Sequence, residues 1–345
     1  MENNKRKVIL DVDTGSDDAV AIMSAILCDE LDVLGITAVH GNLPLQYTLD
    51  NTLRVVELLG SDVPVFGGCP FPMVQDLVPG RRINTDELGT KHAAEGKVIA
   101  VHEKELPLPA PTIKPQEEHA CSWLIRTLKE SKEKITLIPV GAMTNIAAVL
   151  RMEPSVSEHI DEIICMGGGV NIHNRAFRSE TNFFNDPEAA KIMLDSGIKV
   201  VIVTLDATHS SWFGYEEVNQ LREINNPAAD FAAEMLYHRI YAANMSGTRS
   251  EPKSALHDVL AVCAAIDISV LTDLRHETCD IDIAGGISNG AMLVSSRYKY
   301  SKPEKPTFVA YRGDGDKLFT MLCSHLKKFQ PESSMRDAHQ RSIPT

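Results

Sequence analysis

The residues best suited to chemistry form an acidic cluster near the start of the chain, in the segment Asp11-Val-Asp13-Thr-Gly15-Ser-Asp17-Asp18. Asp11 and Asp13 are two residues apart, so on a strand their side chains project from the same face. Four carboxylates this close together repel one another unless a proton or a cation lies between them. Because hard divalent cations prefer carboxylate oxygens, the cluster predicts a metal site.

Two other interpretations of this cluster stay open on the local pattern alone. In the first, Ser16, Asp17 and Asp18 cap a helix by accepting hydrogen bonds from free N–H groups in its first turn, although capping accounts poorly for four acids. In the second, the chain is a phosphatase of the haloacid-dehalogenase type. Those enzymes carry a D-x-D-x-T/V pattern after their first strand, and this chain has Gly15 at the fifth position.

A strand followed by a helix must position the cluster, and the same alternation continues along the chain. Short runs rich in Val and Ile predict strands, and apolar residues at helical spacing predict helices. The predicted strands are 8–12, 33–39, 63–66, 135–140, 163–166 and 199–203, and the predicted helices are 18–27, 45–59, 117–130, 144–151 and 187–196. This order indicates an α/β fold with a mainly parallel central sheet flanked by helices. The cluster then lies at the carboxyl end of a strand, where such sheets bind ligands.

The remaining segments extend this pattern without adding a second domain. Residues 68–115 are rich in proline and have no sustained period, which is typical of a functional or disordered loop. Residues 231–268 predict extra helices in the C-terminal half, and 276–311 return to strand-like runs. We find no repeat and no low-complexity linker, so we expect a single domain over 1–328 and a polar tail over 329–345.

Composition excludes several classes of protein. The 345 residues include 34 Lys and Arg against 47 Asp and Glu, a net charge of −13, which argues against binding nucleic acid by phosphate neutralisation. No run of 18 apolar residues predicts a membrane span, and the polar N-terminus lacks the features of a signal peptide. Seven cysteines without a C-x-x-C pair are typical of reduced thiols. We therefore expect a cytoplasmic protein that binds neither nucleic acid nor membrane.

Polar residues also follow the later strands, and each group allows two interpretations. Gly141 and Thr144 either make an ordinary turn and helix cap or bring backbone groups to the same crevice. The glycines after Met166 lack the G-x-G-x-x-G spacing of a dinucleotide site. Beyond them come neutral amides with one acid, which suit the hydroxyls of a sugar but also occur in polar surface loops. These residues are Asn171, Asn174, Glu180, Asn182 and Asn185.

Two further patterns lie in the C-terminal half. Asp258 in the dipeptide His257-Asp258 either caps an apolar helix or adds a metal ligand, with His257 as a general acid. Tyr237 and Tyr241 are four residues apart and share a helix face. Such a pair belongs to a core or an interface more often than to a site where a nucleobase stacks.

Taken together, these segments resemble the inosine–uridine-preferring nucleoside hydrolases from about residue 7 to about residue 328. The D-x-D-P-G-x-D-D-A motif of that family appears at residues 11–19, with Thr14 in place of the family's Pro. The later motifs agree in order: His40-Gly-Asn42, Gly141-Ala-Met-Thr-Asn145, Met166-Gly-Gly-Gly169, Glu180-Thr-Asn182 and Leu256-His-Asp258. The resemblance implies a Rossmann-like fold, a bound Ca²⁺ ion and hydrolysis of the N-glycosidic bond of ribonucleosides.

The resemblance also implies roles for individual residues. The calcium ligands would be Asp13, Asp18, the backbone carbonyl of Val140, and Asp258. Asp13 would be the general base for a calcium-activated water and His257 the acid that protonates the leaving base. The ribose would be held, in an oxocarbenium-like transition state, by Asp17, Asn42, Met166, Asn174, Glu180 and Asn182.

Base preference is the least determined property. Purine-specific relatives tend to carry Trp where His257 stands, so the resemblance favours a pyrimidine-accepting or broad enzyme. The family's His-Gly-x-x-Gly-Leu stretch corresponds to residues 87–96, which makes His92 a possible base-pocket residue beside Tyr237 and Tyr241. Relatives are commonly homodimers or homotetramers, and we expect the same here. The competing function is a homologue that binds ribonucleosides with calcium but does not turn them over.

Overall fold

The computed structural model describes residues 5–81, 91–94, 97–245, 251–295 and 306–330. Within these ranges the strands are β1 (Arg6–Val12), β2 (Leu31–Ala38), β3 (Val65–Gly67), β4 (Lys91–Ala94), β5 (Lys97–Ala100), β6 (Ile135–Pro139), β7 (Ile160–Met166), β8 (Val200–Val203), β9 (Trp212–Phe213), β10 (Ser254–Ala255), β11 (Leu271–His276), β12 (Cys279–Ile281), β13 (Met292–Val294) and β14 (Thr307–Gly313). The helices are α1 (Ser16–Leu27), α2 (Leu45–Leu58), α3 (Ala120–Glu130), α4 (Thr144–Met152), α5 (Thr181–Asn185), α6 (Pro187–Leu194), α7 (Leu205–Thr208), α8 (Tyr215–Glu223), α9 (Pro227–Met245), α10 (His257–Ile266) and α11 (Gly315–Leu326).

Eight strands form the central sheet in the order β11-β14-β8-β7-β6-β1-β2-β3. Neighbouring strands run parallel except β11, which pairs antiparallel with β14 at one edge. β1 lies between β6 and β2, so Asp11 has Pro139 on one side and Thr37 on the other. The carboxyl ends of these three strands therefore meet at one edge of the sheet, where the acidic cluster begins.

The two faces of the sheet pack into two separate apolar layers. Along β1, Val8, Leu10 and Val12 face one layer, whereas Ile9 faces the other, as the two-residue period of a strand requires. The first layer packs against α1, α9, α10 and α11, and the second against α3, α4 and α6. Because both faces are covered, the central strands are apolar throughout, and this continuity made them recognisable in the sequence.

The predicted α/β fold with a mainly parallel sheet is confirmed, and the predicted strands and helices lie within a few residues of those observed. The segment 231–268 was predicted as mostly helical, but the short strand β10 separates α9 from α10. Residues 331–345 of the predicted polar tail lie outside the described residues. Within the described residues, every helix is too short or too polar to cross a membrane.

Trp123 provides a test of the packing between α3 and the sheet. Its ring stacks on Phe66 of β3 with centroids 4.1 Å apart and fills the space above Gly35. We expect Trp123→Ala to lower the free energy of unfolding by about 3–5 kcal/mol, because the cavity it leaves cannot close fully. Urea denaturation followed by circular dichroism measures this loss. Met152→Ala, at a side chain 63% exposed, should change stability by no more than about 0.5 kcal/mol. Equal effects of the two substitutions would contradict the packing role of Trp123.

Candidate active site

The loops that follow the parallel strands enclose a cavity of about 450 Å³. Its walls come from segments far apart in sequence, because the carboxyl ends of β1, β2, β6, β7 and β8 all point to this edge. The cavity is lined by Asp17, Asn42, Val101, His102, Val140, Met166, His173, Asn174, Glu180, Thr181, Asn182, His209, Arg239, Ala243, Ser254, His257 and Asp258. A cleft in this position is the usual ligand site of an open α/β sheet.

Asp13 follows β1 directly and is fully buried beside the cavity. Its Oδ2 accepts a hydrogen bond of 2.5 Å from the backbone N–H of Asn42, whereas its Oδ1 is buried without a hydrogen-bond partner. Burial, followed by the charge of Asp18, raises the pKa of Asp13 well above its usual value. A buried carboxylate oxygen without a hydrogen-bond partner is stabilised by a bound proton or by a nearby cation.

The contacts of Asp18 are compatible with helix capping and with metal binding. Its Oδ2 accepts from the N–H of Gly15 at 3.0 Å, which caps α1, and its Oδ1 accepts from the N–H of Asp13 at 3.2 Å. Burial, followed by the charge of Asp17, raises the pKa of Asp18 to about 6. Capping therefore explains Asp18 in part, but it leaves Asp13 and Asp17 unexplained.

Asp17 is paired with a buried cation. Arg239 of α9 donates from Nη1 to Asp17 Oδ1 at 2.8 Å, and both side chains are only 5% exposed. His102 lies 4.0 Å from the same oxygen. Its Nδ1 accepts from the N–H of Ser16 at 3.3 Å. Burial raises the pKa of Asp17, but Arg239, His102 and His257 outweigh burial, so the pKa is lowered overall.

The imidazole of His102 packs directly against Gly15. A Cβ atom at Gly15 would lie 1.9 Å from His102 Nδ1, so no larger residue fits while the ring is in place. Burial lowers the pKa of His102 to about 4, so the imidazole is neutral at pH 7. Sequence reasoning missed both His102 and Arg239.

Three carboxylates form a group that can hold a metal ion. Ligand atoms of Asp17, Asp18 and Asp258 all lie within 4.8 Å of one another. Burial and the charges of the neighbouring acids raise the pKa of Asp258 well above its usual value, which is the electrostatic mark of a site that a cation would relieve. The predicted ligand Asp13 donates its backbone N–H to Asp18, and Val140, whose carbonyl is another predicted ligand, lines the same cavity. These donors are all oxygens, and they fit a hard divalent cation.

Asp11, the remaining acid of the cluster, lies outside the cavity and ties the loops together. Its Oδ1 accepts from Thr37 of β2 at 2.5 Å and from the Asn145 side chain at 2.7 Å. Asn145 in turn donates to the carbonyl of Ala38 and accepts from the N–H of Cys69. Asp11 therefore fixes the loops around the site rather than forming part of it.

All of the residues predicted to hold a ribose line the cavity. Glu180 caps α5 and accepts from the N–H groups of Gly168, Asn182 and Phe183. Burial raises the pKa of Glu180 to about 7, although these hydrogen bonds oppose the shift. Asn182 donates to the carbonyls of Val140 and Met166 at 2.6 and 3.1 Å.

Asn174 and Asn42 complete this polar lining. The side-chain oxygen of Asn174 accepts from the N–H of Thr181 at 3.0 Å, which joins the loop after β7 to α5. Asn42 donates from its side chain to Asp18 at 3.5 Å and so connects the lining to the acids. Amide and carboxylate groups facing one cavity are suited to hydrogen-bonding several hydroxyls.

His257 begins α10, next to Asp258. Its Nδ1 is 2.7 Å from the Thr208 hydroxyl, which itself donates to the carbonyl of Leu205 at 3.3 Å. Because the Thr208 hydroxyl donates its own proton to Leu205, it accepts the hydrogen bond from His257 Nδ1. His257 Nε2 is therefore the ring nitrogen that can contact a ligand. Burial, followed by the charge of Arg239, lowers the pKa of His257 well below its usual value. His209 lines the cavity beside it, with ring centroids 5.6 Å apart.

Two of the residues predicted to form a base pocket, Tyr237 and Tyr241, do not line the cavity. Tyr237 and Tyr241 are 43% and 37% exposed and stack on each other with centroids 6.4 Å apart. They lie on the opposite face of α9 from Arg239, and neither lines the cavity. The side chain of His92 lies outside the described part of the chain. Within the described residues, the imidazoles that line the cavity are those of His102, His173, His209 and His257.

Comparison with known proteins identifies the family. The family model described as inosine-uridine preferring nucleoside hydrolase matches residues 8–320. The chain belongs to this family. A pyrimidine-specific ribonucleoside hydrolase, RihA, from Photobacterium profundum is 37% identical over 331 residues, which cover 94% of this chain and 99% of that protein. The predicted resemblance to nucleoside hydrolases, and the enzyme class it implies, are therefore confirmed.

Solved structures of other nucleoside hydrolases share the fold. A purine-preferring ribonucleoside hydrolase from Gardnerella vaginalis superposes with a TM-score of 0.79 at 28% identity, covering 94% of this chain and 99% of its own. The plant nucleoside hydrolase PpNRh1 superposes with a TM-score of 0.80 at 25% identity over the same fractions. The phosphatase interpretation of the acidic cluster has no support from these matches.

Gly41 tests how closely the nucleoside hydrolase site is packed around Asp13. A Cβ at Gly41 would lie 2.0 Å from Asp13 Oδ2. We expect Gly41→Ala to displace this buried carboxylate and to lower kcat/KM for ribonucleoside hydrolysis by about 100-fold, the usual cost of a misplaced reacting group. Gly286→Ala is the matched control, because a Cβ there meets nothing within 4 Å. Unchanged kinetics in Gly41→Ala, measured as release of free ribose, would show that Asp13 tolerates displacement.

Proposed function

We propose that this nucleoside hydrolase uses a calcium ion held by Asp13, Asp18, Asp258 and the carbonyl of Val140 to split ribonucleosides into base and ribose. The observation that carries the proposal is the buried Oδ1 of Asp13, which has no hydrogen-bond partner. Asp13 also donates its backbone N–H to Asp18, which forms a group of possible metal ligands with Asp17 and Asp258. When bound, calcium supplies positive charge that orients a water molecule and lowers its pKa.

The residues of the chain would divide the remaining steps between them. Asp13 Oδ1 accepts a proton from the attacking water. Asp17, Asn42 and Met166 hold the ribose together with Asn174, Glu180 and Asn182, and their hydrogen bonds strengthen as the sugar becomes oxocarbenium-like. With Nδ1 donating to Thr208, His257 would act as the acid after its Nε2 takes up a second proton from solvent, and it would pass that proton to the departing base, which leaves more readily when it is neutral.

We infer that pyrimidine nucleosides are the preferred substrates. The Photobacterium profundum relative named pyrimidine-specific, at 37% identity, supports this preference. The imidazoles of His102, His173 and His209 line the cavity near His257, and they can exchange hydrogen bonds with the carbonyl and N–H groups of a pyrimidine. The expected homodimer or homotetramer and the cytoplasmic location stay predictions, the first of which light scattering tests directly.

A nucleoside panel with and without a chelator tests the proposed function. We expect ribose release from uridine and cytidine to exceed that from inosine by at least about tenfold in kcat/KM, the scale on which a few pocket contacts discriminate. EGTA should abolish the activity, and Ca²⁺ should restore it. Asp13→Asn should lower kcat by about 100- to 10,000-fold because the general base is lost. Asp161→Asn is the control, since its carboxylate is 53% exposed.

Three results of this panel would each count against a part of the proposal. Full activity in the chelated protein would exclude the calcium role. Inosine as the preferred substrate would exclude the pyrimidine preference. Nucleoside binding with no ribose released from any substrate would favour the non-catalytic homologue.

The role of His257 is tested by varying the leaving group. We expect His257→Ala to lower kcat for uridine by about 100-fold or more and to change kcat for p-nitrophenyl riboside by less than about tenfold. The reason is that p-nitrophenolate departs without protonation, so the general acid is not needed. His276→Ala, at an exposed imidazole on β11, is the control. Equal losses on both substrates would assign His257 to binding rather than to acid catalysis.

A further inference from the structure

We propose that Arg239 is a positioning residue that holds the Asp17 carboxylate in the orientation for binding a ribose hydroxyl and keeps it from joining the cation ligands Asp18 and Asp258. The inference rests on the proposed function only for the ribose role of Asp17. Its geometric basis is a buried hydrogen-bond bridge that sequence reasoning did not anticipate.

Arg239 is fixed on three sides. Its Nη1 donates to Asp17 Oδ1 at 2.8 Å and to the Ser16 hydroxyl at 2.9 Å, and its Nε donates to the carbonyl of Ala255 at 3.0 Å. The side chain is 5% exposed, so these bonds form where water competes little. A planar guanidinium with several fixed donors suits this arrangement, whereas a lysine ammonium could not reproduce it.

The bridge joins two parts of the site that are more than 200 residues apart in sequence. Asp17 lies in the first turn of α1, while Ala255 lies two residues before His257 and three before Asp258. Arg239 therefore adds a hydrogen-bonded link between the acids of the first motif and the segment that enters α10, two elements that also pack directly against each other.

Proximity alone would not exclude Asp17 from the cation. Ligand atoms of Asp17, Asp18 and Asp258 all lie within 4.8 Å of one another. What distinguishes Asp17 is the Arg239 contact, which occupies Oδ1 and supplies a positive charge. Asp18 and Asp258 make no ion pair with a cationic side chain within the part of the chain that is described.

The charges at the site also separate Asp17 from the other acids. One cationic side chain neutralises Asp17, and the remaining acids Asp13, Asp18 and Asp258 are left for a divalent ion. The Arg239 guanidinium lies 2.8 Å from Asp17 Oδ1 and pairs with the ionised carboxylate. An ionised carboxylate accepts hydrogen bonds only, which suits a ribose hydroxyl as donor.

A double-mutant cycle tests this inference with Arg239→Gln, Arg239→Lys, Asp17→Asn and the double variant Asp17→Asn/Arg239→Gln. We expect Arg239→Gln to lower kcat/KM for uridine by about 100-fold, mainly through KM, and Arg239→Lys to recover part of the loss. In the Asp17→Asn background, Arg239→Gln should change kcat/KM by less than about threefold, because residues that act as a unit are not additive. Arg222→Gln, at an arginine over the exposed ring of Tyr237, is the matched control.

Calorimetric titration with Ca²⁺ separates the positioning role from metal binding. We expect Arg239→Gln to bind Ca²⁺ at least as tightly as the unsubstituted protein, since the released Asp17 becomes available to the ion. Should Arg239→Gln fail to fold, Arg239→Lys takes its place in the cycle and in the titration.

Two outcomes would overturn the inference. Additive losses in the cycle would show that Arg239 does not act through Asp17, and loss of Ca²⁺ binding in Arg239→Gln would assign it to the metal site. Absence of ribose release from the unsubstituted protein would instead count against the proposed function, and the calcium titration would still decide the role of Arg239.

Discussion

The burial of four carboxyl groups in one small volume is the constraint on which the site depends. Removing an ionised carboxylate from water costs several kcal/mol, and neighbouring carboxylates add repulsion. Three of the four acids have different partners: Asp17 has Arg239, Asp18 has backbone N–H groups, and Asp13 has one N–H and one oxygen without a partner. Arg239 therefore offsets only part of the buried negative charge, and the proposed base Asp13 retains a buried oxygen without a partner, which a cation would stabilise.

The parallel sheet itself brings these groups together, because its strands end at the same edge. Five neighbouring parallel strands, β8, β7, β6, β1 and β2, end at the same edge, and the segments that follow them supply the groups of the site. Asp11 stabilises this arrangement from behind, because its hydrogen bonds to Thr37 and Asn145 cross from β1 to β2 and to the start of α4. A polar network under the site holds the loops, so the acids themselves need not serve as structural anchors.

The sequence was sufficient to predict the parallel strands and most of the proposed site. Strands buried on both faces are continuous apolar runs, and Asp13, Asp17 and Asp18 are close in sequence as well as in space. Arg239 was harder to recognise, although it interrupts the buried stripe Ala228, Ala232, Met235 and Ala242 of α9. A charged residue within such a stripe is a usable signal, because it is rarely buried without a partner.

The remaining site residues depend on contacts that no local pattern encodes. His102 lies in the aperiodic segment 68–115, and only the folded chain brings it to α1. Helical periodicity placed Tyr237 and Tyr241 on one face, but it could not tell which face of α9 meets the cavity. That choice is made by the packing of α9 against α1 and α8, which is a tertiary property.

The contact between Gly15 and His102 also limits the order in which substitutions can accumulate during evolution. A side chain at Gly15 would occupy the position of the imidazole, so any replacement there requires that His102 change first. The reverse does not hold, because Gly15 tolerates the loss of the ring. Among descendants of this sequence, position 102 can change while position 15 stays glycine, at the loss of the cavity imidazole, and a lineage with a larger residue at position 15 regains that imidazole only after glycine returns.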